Sequence, residues 1–316
     1  MTSNPLPDTT IRAQGKLLLT GEYAVLDGAL ALALPARYGQ TLEVSLGGQT
    51  GVLTWASLDE TGGIWFEAAF ALPGLEALHS TDQPTVYRLR EMLLACRRQN
   101  PFFLADDAAM HVQTCTDFPR EWGLGTSSTL IAALARWAGA DPYRVLFDTL
   151  GGSGYDIACA FAEGPLLYRL DSGQPQVEPV VFDPPFADRL FFVFLGKKQD
   201  SRVGIRHFRE RAQGDTGLVE AISEITRQCL NAGALGDFCA ALLEHERLIG
   251  RALDLPRAQE LYFGDFPGTV KSLGAWGGDF VLAASAAGDT ERYFRERGFA
   301  VCIPYADMVA TKKANS

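Results

Sequence analysis

The 316-residue sequence has few cysteines, little basic charge and no long apolar run. Its six cysteines show neither CxxC spacing nor a high density, which indicates reduced thiols rather than a disulfide framework or a zinc site. The formal net charge of −10 argues against nucleic-acid binding, because that binding depends on clustered lysine and arginine. These shortages argue against disulfide-stapled domains and against DNA- or RNA-binding proteins.

The sequence also shows no apolar run typical of a membrane span and no secretory signal in residues 1–11. No apolar run approaches the roughly 20 residues that cross a bilayer; the longest candidates are short segments such as residues 190–195. Residues 1–11 are polar and contain proline, without the basic and apolar regions of a secretory signal. We therefore expect a soluble cytoplasmic protein with no membrane partner.

The order of apolar segments favours a mixed fold. The composition, 47% hydrophobic and 21% charged, is that of a globular protein, and the length favours two domains or one two-lobed unit. Strands and helices are mixed rather than strictly alternating, which favours α+β over a doubly wound sheet. Predicted strands cover residues 16–20, 41–45, 165–170, 190–195 and 279–285. One predicted helix begins shortly after residue 129, and three others cover residues 218–229, 238–249 and 291–297. A proline-bearing stretch over 175–185 places the predicted domain boundary between residues 178 and 179.

Residues 123–128, Gly-Leu-Gly-Thr-Ser-Ser, suit an anion. The glycines permit close backbone approach, and a following helix would present free N–H groups and the positive end of its dipole to phosphate. The pattern is neither a P-loop nor a dinucleotide fingerprint, because Ser128 stands where the latter needs glycine. The alternative interpretation is a turn followed by a serine-threonine helix cap.

Two further residues could take part in phosphoryl chemistry. Asp156 follows the flexible turn Gly-Gly-Ser-Gly over 151–154 and could accept a proton from a nucleophilic hydroxyl or orient it. Lys16, at the start of the first strand, could stabilise negative charge beside that carboxylate. The alternatives are a helix-capping aspartate and a solvated lysine at a strand edge.

The second half of the chain offers a glycine loop and a basic cluster. Residues 274–278, Gly-Ala-Trp-Gly-Gly, could line a site where substrate and phosphate meet, or could be a plain turn. Lys197, Lys198 and Arg202 follow an apolar strand and could receive an acidic substrate. A charged surface turn is the alternative.

Taken together and in this order, the loops resemble the three motifs of the GHMP kinases, and the resemblance covers most of the chain. Residues 14–27 resemble the family's N-terminal strand and turn, closest to mevalonate and phosphomevalonate kinases. Residues 123–128 resemble its phosphate loop, 152–160 its catalytic-aspartate motif and 271–283 its C-terminal glycine-rich motif. The resemblance implies a two-lobed α+β fold.

In that fold, residues 1–178 would form a ribosomal-protein-S5-like ATP-binding lobe, and residues 179–316 a ferredoxin-like lobe. The implied ligands are ATP and Mg²⁺, with Ser127 on the metal. Asp156 would be the base or orienting carboxylate, and Lys16 would neutralise charge near it. The implied ATP-binding residues are Gly123, Leu124, Gly125, Thr126, Ser127 and Ser128, and the implied substrate-binding residues are Glu22, Ser153, Gly277, Gly278, Lys197 and Arg202.

The sequence departs from the family at two points. Trp276 occupies a position that is usually glycine in the third motif. The second, acidic magnesium ligand of mevalonate kinase has no clear counterpart, and Asp148 is the weak candidate.

The acceptor implied by the resemblance is a small acidic metabolite, phosphomevalonate or mevalonate, in isoprenoid precursor synthesis. Alternatives within the fold are a kinase of another small alcohol, such as homoserine or a sugar, and the related decarboxylases. A catalytically silent protein that binds a nucleotide or ligand is an alternative of another class. The presence of both Lys16 and Asp156 favours an enzyme, which would be a monomer or a homodimer.

Overall fold

The computed structural model describes residues 8–196, 201–274, 276 and 278–311, except for the side chains of Ser201 and Arg202. The strands are β1 (Thr9–Thr20), β2 (Ala31–Leu46), β3 (Val52–Leu58), β4 (Ile64–Ala71), β5 (Ala77–Ser80), β6 (Met110–Thr116), β7 (Leu166–Asp171), β8 (Gln174–Pro179), β9 (Leu190–Phe194), β10 (Thr269–Ser272), β11 (Phe280–Ala284) and β12 (Cys302–Pro304). The helices are α1 (Gln83–Gln99), α2 (Thr126–Ala138), α3 (Pro142–Thr149), α4 (Tyr155–Cys159), α5 (Ser201–Arg211), α6 (Thr216–Asn231), α7 (Leu235–Leu253), α8 (Ala258–Tyr262), α9 (Thr290–Glu296) and α10 (Tyr305–Met308).

Local sequence accounts for the regular elements. Alternate residues of β6 are buried along its whole length, as a strand with one face on a core requires. In α6 the buried residues recur at helical spacing, and the Asp215 side chain caps the helix by accepting from the Leu218 N–H at 3.0 Å. The predicted α+β class is confirmed, and each of the predicted strands and helices overlaps an observed one; α2, however, begins at Thr126, within the segment predicted as a loop before it.

Several strands were not predicted from the sequence, and β8 is the one that contains two prolines. Pro175 and Pro179 in β8 lack the N–H that a central strand needs. The hairpin with β7 accommodates both, since β8 ends the strand order and is an edge strand, where proline is tolerated.

The chain folds into two compact units that are interleaved along the sequence, and β1 and β2 contribute residues to both. The first unit comprises residues up to Gly15 together with Tyr38–Arg120 and Leu124–Phe161. Its strands run in the order β5-β4-β3-β6-β2, with β3 and β6 parallel and the other pairs antiparallel. Helices α1 to α4 belong to this unit, and α2 supplies much of its buried core.

The second unit comprises Lys16–Arg37, Glu121–Gly123 and the chain from Ala162 onward. Its residues from β2 pair with the β7–β8 hairpin, and a second, fully antiparallel sheet has the order β10-β11-β9-β12. The remaining helices, α5 to α10, belong here. The domain boundary between residues 178 and 179 stays a prediction. In the part of the chain described, no helix combines the length and the apolar character needed to span a bilayer.

Candidate active site

The start of α2 is the predicted phosphate loop, and it lies in the first unit. Gly125 is the N-cap residue, with φ 94° and ψ 46°, a left-handed conformation that favours glycine. No side chain caps the helix. Since the first N–H groups of a helix have no partner inside it, those of α2 are left to an external acceptor. This end of α2 therefore has the properties of an anion site.

The hydroxyl groups of this loop make different contacts. The Ser128 hydroxyl donates to the Gly125 carbonyl oxygen at 2.8 Å, and the Thr129 hydroxyl donates to the Gln40 amide oxygen at 2.7 Å. Both side chains are buried, whereas Ser127 is exposed. The alternative of a serine-threonine cap is wrong, because these hydroxyls donate to carbonyl groups and leave the helix N–H groups uncapped. Ser127 is the serine of this loop whose side chain faces solvent.

Asp156 lies in the first turn of the short helix α4, also in the first unit. The N-cap residue is Gly154, so Asp156 is not the capping residue that the alternative interpretation predicted. One oxygen of its half-buried carboxylate accepts from the Ile157 N–H at 3.0 Å. Helix α4 packs against α2, which places the carboxylate and the phosphate loop on neighbouring helices of one unit. Ser153 is buried in the turn that precedes α4.

In the second unit, the Lys16 side chain is hydrogen-bonded to Gly123, the first residue of the predicted phosphate loop. The Lys16 ammonium donates to the Gly123 carbonyl oxygen at 2.9 Å, so this lysine has a defined partner. The carboxyl group of Asp279 packs against the same glycine, because a Cβ atom on Gly123 would lie 2.4 Å from the Asp279 Cγ. Lys16 and Asp156 belong to different units, and their pairing stays a prediction.

Glu22 belongs to a buried polar cluster of the second unit that also contains His245, Glu246 and Lys271. The Lys271 ammonium lies 2.5 Å from Glu22 Oε1, and both side chains are almost inaccessible to solvent. Burial raises the pKa of Glu22, while the charge of Lys271 and the N–H of Gly274 act in the opposite direction. This carboxyl group is therefore engaged inside the unit, and its role in substrate binding stays a prediction.

Burial also shifts the pKa values of the other two members of the cluster. Burial, with the Lys271 charge, lowers the pKa of His245 well below its usual value. Its Nε2 accepts from the Gly21 N–H at 2.9 Å, as a neutral imidazole can. Burial raises the pKa of Glu246 to about 8, and its carboxyl contacts both the N–H and the hydroxyl of Ser272. Lys271 contacts one oxygen of Glu22, and His245 Nε2 lies 3.2 Å from the other.

The third glycine loop follows β10 in the second unit. Gly278 is buried, and Trp276 is 6% exposed. Gly277 and Lys197, both predicted to bind substrate, lie outside the described residues, as does Lys198. Arg202 lies at the start of α5, and its side chain is outside the described part as well. These assignments stay predictions.

Several of these polar residues were not predicted as site residues. His245 and Glu246 are buried on α7 among its apolar residues. A polar or charged residue at the helical spacing of the apolar face is the sequence signal that could have indicated them. Lys271 stands in a fully buried strand, and no local pattern predicts a buried lysine. Asp148 forms an exposed ion pair with Arg98 at 3.6 Å. Over the described ranges, no group of three or more His, Cys, Asp or Glu residues could hold a metal ion.

Comparisons with known proteins give the fold. No protein-family model and no curated protein sequence matches the chain. Among solved structures, the mevalonate kinase of L. major in complex with R-mevalonate matches with a TM-score of 0.69 at 17% identity, over 99% of this chain and 100% of that one. The phosphomevalonate kinase of Streptococcus pneumoniae, in complex with phosphomevalonate and AMPPNP, matches with a TM-score of 0.66 at 18% identity, over 95% of this chain and 96% of that one.

A galactokinase of Lactococcus lactis complexed with galactose matches with a TM-score of 0.63 at 12% identity, covering 96% of this chain and 93% of that one. These structures are members of the GHMP superfamily. The chain therefore has the GHMP kinase fold along nearly its whole length, and the resemblance predicted from its motifs is confirmed at the level of the fold.

Proposed function

We propose that the protein is an ATP-dependent small-molecule kinase that phosphorylates a small acidic acceptor, either phosphomevalonate or mevalonate. The observation that carries this proposal is the uncapped start of α2 at Gly125, in a fold that solved small-molecule kinases share over nearly their full length. An uncapped helix start binds phosphate through its N–H groups and its dipole. The cytoplasm would be its place of action.

The residues of the first unit fit a nucleotide with its magnesium ion. The exposed Ser127 hydroxyl is an oxygen ligand of the kind that magnesium takes, and its neighbour Ser128 is committed to the Gly125 carbonyl. Bound magnesium would neutralise charge on the phosphate oxygens. Phosphoryl transfer itself depends mainly on positioning and electrostatic stabilisation, for which the backbone N–H groups of α2 are suited.

Asp156 and Lys16 are the proposed catalytic residues. With an alcohol acceptor, Asp156 would take the hydroxyl proton as the acceptor oxygen bonds to the γ-phosphorus of ATP and the bond from that phosphorus to the leaving ADP oxygen breaks. With a phosphate acceptor, already deprotonated, it would act by orientation. Lys16 would stabilise negative charge that develops during transfer, from a position fixed by its bond to Gly123.

The fold relatives and the charge of the sequence support the proposed acceptor class. The matched structures include kinases in complex with R-mevalonate and with phosphomevalonate. Lys197 and Arg202 would supply the positive charge for a carboxylate or phosphate on the acceptor. A galactokinase shares the fold, so neutral sugars and homoserine belong in the same test.

The test is an ADP-release assay with magnesium and ATP against mevalonate, phosphomevalonate, homoserine and galactose. We expect turnover with one of the first two, and we expect Asp156→Ala to lower kcat by a factor on the order of 10² to 10⁴, the usual contribution of a general base. Asp188→Ala is a matched control, since this aspartate also lies in a short helical turn and its side chain is 71% exposed.

Equal activity of the Asp156→Ala and Asp188→Ala variants would remove Asp156 from the mechanism. Turnover of galactose or homoserine, without turnover of mevalonate or phosphomevalonate, would show that the proposed acceptor is wrong. Tight ATP binding without turnover of any acceptor would favour a catalytically silent nucleotide-binding protein.

A further inference from the structure

Trp276 stands inside a glycine-rich loop, yet it is fixed at both ends. Its backbone N–H donates to the Tyr23 hydroxyl at 2.8 Å, and its indole N–H donates to the Pro256 carbonyl oxygen at 2.9 Å. The indole ring packs with Tyr23, Ile249 and Leu253 in one buried apolar cluster. A loop expected to owe its shape to glycine is therefore held by a large side chain.

The Tyr23 side chain, whose hydroxyl accepts the Trp276 N–H, is itself packed in place. Tyr23 is 7% exposed and stacks on Phe208 of α5, with the ring centroids 6.0 Å apart and the planes inclined by 24°. Gly204 of the same helix lies against the phenol, since a Cβ atom there would lie 2.4 Å from the Tyr23 hydroxyl oxygen. Helix α5 therefore packs against the Tyr23 ring and leaves it no room to move towards that helix.

A second attachment lies on the strand that enters the loop. The Lys271 ammonium, in β10, donates to Glu22 Oε1 at 2.5 Å, and Glu22 is the residue before Tyr23. The adjacent residues Glu22 and Tyr23 therefore hold the strand that enters the loop and the loop itself, through Lys271 and Trp276.

We propose that Glu22 and Tyr23 clamp the third glycine loop, with Trp276 as its anchor, and that Tyr23 and Trp276 are positioning residues for phosphoryl transfer. This inference rests on the proposed function, in which the loop borders the acceptor and the transferred phosphate. The clamp fixes the path of the backbone into Gly278 and Asp279. Displacement of a reacting group by about 1 Å can lower a rate 10²-fold, so a small shift of the loop would be visible in kcat.

Hydrogen exchange tests the clamp without reference to activity. In Tyr23→Phe the Trp276 N–H loses its buried acceptor, and we expect the amides of residues 273–280 to exchange about tenfold faster, as the loss of one hydrogen bond implies. Tyr87→Phe is the matched control, because Tyr87 is 64% exposed on α1. Unchanged exchange of the loop in Tyr23→Phe would overturn the clamp.

Kinetics of the same variants test the positioning role. We expect Tyr23→Phe to lower kcat about tenfold and to leave the KM for ATP within about twofold, because the phosphate loop is not altered. Loss of loop protection together with an unchanged kcat would overturn the positioning role. If the unaltered protein turns over none of the four acceptors, the proposed function fails, and the exchange result still decides for or against the clamp.

Gly204→Ala provides a second variant that keeps the Tyr23 hydroxyl. Alanine ordinarily favours a helix, but here its methyl group would displace the phenol. We expect faster exchange of residues 273–280 and a lower kcat, in the same direction as Tyr23→Phe. Gly236→Ala is the control, since a Cβ atom at this position of α7 has open space. An effect of Gly204→Ala no larger than that of the control would count against the clamp.

Discussion

The two glycine-rich loops, residues 123–128 and 274–278, have similar compositions but are held in shape in different ways. The phosphate loop at the start of α2 is shaped by its own backbone, with Gly125 in a left-handed conformation and no side chain capping the helix. The third loop is held by side chains from elsewhere in its unit: the Tyr23 hydroxyl accepts the Trp276 N–H, and Glu22 binds Lys271 on the strand that enters the loop. The first arrangement leaves N–H groups for a ligand, whereas the second uses the Trp276 N–H to fix the loop. Glycine content alone therefore does not show which loop is a ligand cradle.

The largest expected effect comes from removing the buried support of the third loop. In Lys271→Met, Glu22 loses its partner and remains buried, so we expect the free energy of unfolding to fall by about 3–5 kcal/mol, measured by urea unfolding. The control is Arg227→Met, which removes an exposed pair with Glu224 and should cost at most about 1 kcal/mol. Equal losses in the two variants would show that the buried pair is not needed.

The same cluster predicts a dependence of stability on pH. Because the pKa of Glu246 is raised to about 8 from its usual 4.5, the folded protein binds this proton more tightly than the unfolded chain does. The resulting stability is complete below about pH 4.5 and is lost as the pH rises towards 8. Between pH 6.5 and 8 we expect the free energy of unfolding to decrease by up to about 2 kcal/mol from this group.

Urea unfolding across this pH window, with Glu246→Gln, measures the contribution. The variant should lose that part of the slope. His245, whose pKa is lowered, makes an opposite contribution only below its usual pKa of 6.5, so it does not obscure the window. Glu244→Gln is the control on the same helix, since Arg247 lowers the pKa of Glu244 and its titration lies below the window. A slope unaffected by Glu246→Gln would contradict the assignment.

A smaller effect is expected where the backbone alone shapes the loop. Gly125→Ala places a side chain at φ 94°, which costs about 1–2 kcal/mol in a left-handed conformation. If the helix start binds ATP, part of this strain should appear as a KM for ATP raised roughly tenfold.

Gly139→Ala is the matched control for that variant. Gly139 ends the same helix at φ 65°, also left-handed, and a Cβ atom there would meet no neighbour. We expect a comparable loss of stability and an unchanged KM for ATP. If both variants change the KM equally, the start of α2 is not the nucleotide site.

Local pattern predicted some of the elements but not the contacts that support them. The strand over 16–20 and the turn before Asp156 could be located, because apolar spacing and glycine act within a few residues of themselves. The helix expected after residue 129 begins at Thr126, and the prediction missed several strands, among them β8, where prolines suggested a break. It also left the effect of Trp276 open, since the partner of its N–H lies 253 positions earlier in the sequence.

The sequence by itself determined the α+β class, the order of the three loops, the position of Lys16 on the first strand and the turn that precedes Asp156. Those features depend on neighbours along the chain. Only the tertiary structure decided that Lys271 pairs with Glu22, that burial lowers the pKa of His245 and raises that of Glu246, and that the Tyr23 hydroxyl accepts a backbone N–H of the third loop. Burial sets the protonation of these groups, and burial is a property of residues brought together from distant parts of the chain.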